Sequence, residues 1–285
     1  MPADHIEWNH AHLLALAWTP AYTAAVIAAG WSGTAILAVH LFATLGWFAA
    51  FERWRPHRPR WQATPADWRR DASFLGMNAV ADGLAGVALA AATLQFTGSG
   101  PASMLPLWAS APLAVLVAEF GAYWLHRALH RGGWGWRVHM VHHRPEALNV
   151  TNNLTTHPVN VVLLKAVKLL PLALLGFSAD AVLLAAVFMQ LQSFATHANT
   201  RGRMGWLNHV MGTAELHRWH HSARVGEALN FSTSVPLWDQ VFGTFRHVPG
   251  AEPAEVGVEG PGGYPAATAT WALATYPFTR RCCSA

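Results

Sequence analysis

Three histidine clusters carry the chemistry open to this chain. They read His126-Arg-Ala-Leu-His130, His139-Met-Val-His142-His143 and His217-Arg-Trp-His220-His221. Imidazole is the commonest side-chain ligand for zinc, copper, iron and nickel. Eight rings exceed what one ion holds, so the pattern asks for two ions close together. On a helix, His126 and His130 share a face one turn apart, and positions 139, 142 and 143 form a single patch that 217, 220 and 221 repeat. Two copies of one spacing are expected to face each other across a two-metal centre. His157 and His197 flank an apolar hairpin that must return to its entry side, which adds both as candidate ligands. On the helical face behind His126 lie Tyr123 and Glu119. An acid inside an apolar stretch is costly unless paired. Glu119 is therefore expected either to orient a ligand ring through its second nitrogen or to bond a neighbouring helix.

The donor type narrows the metal. Neutral imidazoles suit zinc, copper and iron alike. A catalytic zinc site usually takes three protein ligands plus water, and a zinc hydrolase needs a placed carboxylate base; there is no His-Glu-x-x-His here. A redox pair of iron ions explains so many nitrogen donors more economically, with zinc able to replace iron in overproduced protein. Two other classes compete: a zinc-dependent membrane hydrolase, and a haem-binding electron carrier. The latter would place single histidines in mid-span on facing helices, whereas these crowd at span ends.

The elements that must position the boxes are membrane helices. Of 285 residues 53% are hydrophobic and 12% charged, about half the charged fraction of a soluble domain. With 15 Trp and a positive mean hydropathy, the chain reads as an all-α polytopic membrane protein whose histidine boxes sit in a helical cytoplasmic cap. Residues 1–23 read as an N-terminal segment without a cleavable signal, 24–247 as the membrane domain and 248–285 as a tail. A first span is expected over about 24–51, with His40 facing the bundle, a second over 74–96 and a third over 106–125. Pro171 and Gly176-Phe-Ser-Ala-Asp180 are expected to break the block 159–198 into a hairpin of two short helices. Arg53, Arg55, Arg58, Arg60, Arg69 and Arg70 mark the loop between the first two spans as cytoplasmic. Five crossings with an outside N-terminus satisfy this, as do three plus a re-entrant hairpin. No arginine run alternates with aromatics along one face, which argues against nucleic-acid binding. His209 and His247 read as loop histidines, the sequons at Asn149, Asn153 and Asn230 as chance matches, and Cys282-Cys283 as a tail end without a disulfide framework.

With these residues in view, the chain resembles the fatty acid hydroxylase superfamily, also called the sterol desaturase family. The resemblance rests on HxxxH, HxxHH and HxxHH in that order. It extends to Asn230-Phe231 and Trp238-Asp-Gln-Val-Phe-Gly-Thr244, similar to that family's closing motif, and to Glu52-Arg53 with Arg70-Asp71, similar to its first cytoplasmic loop. It covers about residues 35–247. It implies a non-haem di-iron centre held by His126, His130, His139, His142, His143, His217, His220 and His221. It also implies O2 as co-substrate, C–H hydroxylation or desaturation on a lipid, and a cap made by Trp238, Asp239 and Gly243. Asn230 and Asp239 are expected to support the ligands from behind. No flavin or nucleotide fingerprint is present, so a separate ferredoxin- or cytochrome-type electron donor is implied. One departure is Thr213-Ala214-Glu215, where a proline is often found before the third box.

Overall fold

A computed structural model describes residues 7–93 and 99–279. His5 and Cys282-Cys283 lie outside them, as does part of the turn expected before Pro101. The described residues form helices and no β-strand. The first apolar block is two helices rather than one span. Helix α1 (His10–Ala28) ends where Gly30 turns at φ 74°, with Gly30 N–H on the Ile27 carbonyl and Trp31 N–H on that of Val26. The Ser32 hydroxyl then caps α2 (Gly33–Trp54) through the Ala35 amide. Hydropathy alone runs through this break, because Gly and Ser are no obstacle to an apolar average. Helix α3 (Pro65–Thr93) begins well before the expected 74: Thr64 and Asp67 exchange side-chain and backbone hydrogen bonds, and Pro65 fills the first turn. Arg69, Arg70 and Asp71 are thus helical rather than loop residues. Helix α4 (Leu107–Leu129) carries His126, and α5 (Gly133–His143) the second box.

Helices α6 (Pro158–Leu174) and α7 (Ala179–His197) form the expected hairpin, broken at Gly176 (φ 75°). Pro171 does not break it and lies inside α6. Lacking an N–H, Pro171 leaves the Val167 carbonyl without its helical donor. Gly121 of α4 fills that notch, for a Cβ there would overlap the Val167 oxygen. Helix α6 packs between α3 and α4, and α7 packs against α4, α2 and α1. Short helices α8 (Ala214–His220), α9 (Leu237–Val241) and α10 (Thr270–Thr275) complete the chain.

By length and composition α1, α2, α3 up to Ala91, α4 and α7 can each cross a bilayer, which makes this a multi-pass membrane protein. The side on which residues 7–9 lie differs from expectation. Glu7 pairs with Arg55 and Arg201, Asn9 Nδ2 donates to Thr200 Oγ1, and the Arg203 amide donates to the Glu7 carbonyl. Residues 7–9 therefore sit at the histidine end. The α1–α2 hairpin starts and finishes there, so the arrangements with an N-terminus on the opposite face do not hold. His40 faces α7 as expected and bonds Gln190 Oε1 at 2.6 Å.

Residues 248–279 wrap the histidine end. Gly257 N–H donates to the His221 carbonyl, Arg144 Nε to the Pro265 carbonyl, and Leu273 is fully buried. Glu252 joins this stretch to the first loop through Arg58 and His57. Burial raises the affinity of Glu252 for a proton, but the bonds from Arg58 and His57 and the Arg218 charge outweigh it and hold the carboxyl below its ordinary value of 4.5. A depressed carboxylate stabilises the fold above its unfolded value and loses that contribution as pH falls through the folded one. Purified protein should therefore lose thermal stability as pH drops below about 4.5, and Glu252→Gln should flatten that part of the profile. An unchanged acid slope in the variant would refute the assignment.

Candidate metal centre

The helical period and the helix ends together place the rings. His126 lies on the last turn of α4, and His130 is the residue just past it. Gly132 and Gly133, at φ 89° and 64°, reverse the chain into α5, whose last turn carries His142 and His143, with His139 one turn earlier. His197 is the final residue of α7. Thr213 caps α8 through the Leu216 amide, and α8 presents His217, His220 and, at its end, His221. The Thr213-Ala214-Glu215 stretch is thus a helix start, with Glu215 accepting from the Met204 amide and Asn208 Nδ2.

Nine imidazoles converge in two groups, each of which could hold a metal ion: His126, His130, His139, His143 and His220 in one, His142, His197, His217 and His221 in the other. Within each group the donor atoms lie within 4.8 Å of one another. Each HxxHH box divides between the groups, against the expectation of one patch per box. Helix α5 gives its i, i+4 pair, His139 and His143, to the five-ring group and His142 to the other. Helix α8 does the reverse, giving His217 and His221 to the four-ring group and His220 to the five-ring one. The seam is a stack of His143 on His221, centroids 4.1 Å apart.

Hydrogen bonds on the far side of four of the rings fix their tautomers. His142 Nδ1 donates to the Thr155 carbonyl at 3.2 Å and His197 Nδ1 to the Ser193 carbonyl at 2.9 Å. Their Nε2 atoms then face each other at 3.1 Å with no proton to share. Opposed lone pairs repel unless a cation lies between them. The same close approach recurs for His126 and His139 (2.9 Å), His143 and His139, His143 and His220, His217 and His197, and His221 and His217 (3.1 Å each). Bonds of about 2.1 Å at right angles put two donors about 3.0 Å apart, against about 3.4 Å for a tetrahedron. The closest pairs are therefore spaced as donors that share an ion are. Burial pushes His142 down to about 4 against its Thr155 bond, and burial with the neighbouring rings lowers His130, His139, His143, His217, His220 and His221 well below 6.5. These imidazoles are neutral at pH 7, the form that binds metal.

His157 stands apart from both groups. Its Nδ1 accepts the Val159 amide at the start of α6, and its Nε2 donates to the Ala274 carbonyl, so both nitrogens are spent. His209 and His247 also lie outside. Glu119 touches no imidazole. It accepts the Thr233 and Ser234 amides, while Asp239 accepts those of Phe231 and Ser232. Tyr123 bonds Thr244 Oγ1, which donates to Asp239. Asn230, at φ 61°, donates to the Leu216 and Arg246 carbonyls, and Trp238 Nε1 donates to that of Leu116. These residues brace backbone, and the backbone meets the rings.

Three supports were not legible as such. Glu52 accepts the Val150 and Asn199 amides, bracing the turn beside His142 and the end of α7. Asp71, paired with buried Arg70, accepts the Thr155 hydroxyl. Gln192 Nε2 donates to the Gly212 and Ser234 carbonyls. Their signal was polarity within or beside an apolar run, which marks a partner without naming it.

Residues 111–244 match the model of the fatty acid hydroxylase family. Ornithine lipid hydroxylase of Rhizobium tropici is 29% identical over 228 residues, 76% of this chain and 69% of that protein. Human alkylglycerol monooxygenase (Homo sapiens) is 34% identical over 143 residues, 49% of this chain and 30% of that protein. Methylsterol monooxygenase 2-2 of Arabidopsis thaliana is 26% identical over 146 residues, 49% of this chain and 55% of that protein. No solved structure matches the chain.

Proposed function

With a fatty acid hydroxylase domain over residues 111–244 as its premise, we propose that this protein is a di-iron membrane monooxygenase that hydroxylates a C–H bond of a lipid. The observation that carries the reading is the convergence of nine imidazoles into two adjoining groups at one end of a membrane bundle. Five donors exceed a tetrahedral zinc site, and haem takes at most two axial histidines. His126, His130, His139, His143 and His220 would hold one ion, and His142, His197, His217 and His221 the other. Two irons would supply, when bound, the redox chemistry that activates O2.

The overall reaction balances as C–H plus O2, two electrons and two protons giving C–OH and water. The chain itself buries the donors and fixes the tautomers of His126, His142, His197 and His220 through backbone carbonyls. Its apolar helices let a lipid approach from the bilayer. Electrons require a separate ferredoxin- or cytochrome-type donor. The arginines between α2 and α3, at the histidine end, favour a cytoplasmic position for that end, where such a donor would dock.

Metal analysis and oxygen labelling test this. Full-length protein purified in detergent should hold about two irons per chain and show no haem band. Membranes containing it, supplied with reductant and 18O2, should place one label in a lipid; ornithine lipids, alkylglycerols and methylsterols, named for the relatives, are the first to assay. Loss of two hydrogens without label would assign desaturation instead. Full activity with zinc and no O2 would overturn the oxygenase reading.

A further inference from the structure

The two donor groups are oriented through different parts of the chain. In the five-ring group, His126 Nδ1 donates to the Phe231 carbonyl at 2.6 Å, and His220 Nδ1 to the Leu229 carbonyl at 3.0 Å. Both acceptors belong to residues 229–234, a stretch in neither helix nor strand. It has no ladder of its own to hold it, so its backbone groups need outside partners. Two buried carboxylates supply four in succession. Asp239 of α9 takes the Phe231 and Ser232 amides at 2.7 and 2.8 Å, and Glu119 of α4 takes those of Thr233 and Ser234 at 2.6 and 3.2 Å. Bonds to an ionised acceptor are about twice as strong as neutral ones. The far end is held too: the Ser234 carbonyl takes the Gly212 amide at 2.8 Å, and a Cβ on Gly212 would overlap the Thr233 carbonyl oxygen. Asn230 in its left-handed conformation joins the two ring-bonding carbonyls.

No carbonyl of this stretch accepts from a ring of the four-ring group. His142 leans on the Thr155 carbonyl, in a turn braced by Asp71, and His197 on the Ser193 carbonyl of its own helix. We infer that residues 229–234 are a strap that sets the geometry of the five-histidine site alone, and that Glu119 and Asp239 are the positioning residues that control metal occupancy of that site. The inference rests on the two-ion reading above and adds which ion the two carboxylates govern. A merely structural role would weaken both sites together, because the groups share α5 and α8.

The test is a metal titration of full-length, metal-stripped protein in detergent, with Co(II) as probe and the number of tight sites as readout. Wild type should take up two ions. Glu119→Gln and Asp239→Asn should each keep one tight site and weaken the other by about 10–100-fold, the usual cost of losing a group that orients a ligand. His197→Ala should remove the complementary site, and Glu119→Gln with His197→Ala should leave none tight. Thr244→Val, which takes only one hydroxyl from Asp239, should weaken the same site as Asp239→Asn by a smaller factor and serves if the carboxyl variants fail to fold. Equal weakening of both sites in the variants that fold, or no weakening of either, overturns the inference. A wild type that binds fewer than two ions fails earlier and sinks the two-ion reading itself.

Discussion

His142→Ala should leave a protein that folds, keeps one ion and turns over no substrate. His142 is the one residue α5 gives to the four-ring group; without it His197, His217 and His221 remain. His220 is the mirror case, the one residue α8 gives to the five-ring group. Each substitution removes a buried neutral donor and opens a cavity at the seam, so metal affinity at that site should fall at least about 1000-fold, roughly 4 kcal/mol. Activity should fall below detection in both, because reduction of O2 needs both ions. The retained ion should differ between them, and Co(II) bound at five donors and at four gives distinct visible spectra. His5→Ala, outside the described residues, should change neither metal content nor turnover. If His142→Ala and His220→Ala emptied the same site, the division of each box between two groups would be wrong.

Asp71→Leu should cost about 3–5 kcal/mol, the usual result of removing one partner from a buried ion pair. Arg70 and Asp71 are both buried, and Arg70 Nε also donates to Thr155 Oγ1. The substitution strands a guanidinium that keeps only Asp67, Thr155 and the Ala267 carbonyl. It also frees the Thr155 turn on which His142 depends. Thermal unfolding in detergent should shift down by roughly 10 °C at this chain length, and the four-ring site should lose metal before the five-ring site does. Replacing Arg70 by Met in the same chain should restore much of the stability, since the buried charge is then gone and partly exposed Asp67 keeps its bonds from Thr64. A shift below about 2 °C for Asp71→Leu would show that the pair is not closed off from water.

Much of the site was readable from local spacing. Each ring's place on α4, α5 or α8 follows from the helical period, and His197 was reached from the hairpin that returns it to the same end. His157 failed by the same reasoning. A hairpin brings both its ends near the boxes, but which imidazole points inward depends on the cap, and the Val159 amide claims the His157 ring. The break at Gly30 was lost because hydropathy averages over it, and with it went the side on which residues 7–9 lie. Glu119 stood out as an acid in an apolar span, yet its partners are backbone amides 114 and 115 residues away, which carry no side-chain signature.

The sequence alone determined the helical class, the membrane setting, the histidine boxes and the kind of chemistry they invite, because hydropathy and a repeat of 3.6 residues are local properties that short windows record. Tertiary structure decided how each box divides, since a ring's group depends on the rotation of α5 against α8. It also decided which rings are braced by the strap, since a carbonyl acceptor is the same in every residue and only the path of the folded backbone gives it an address.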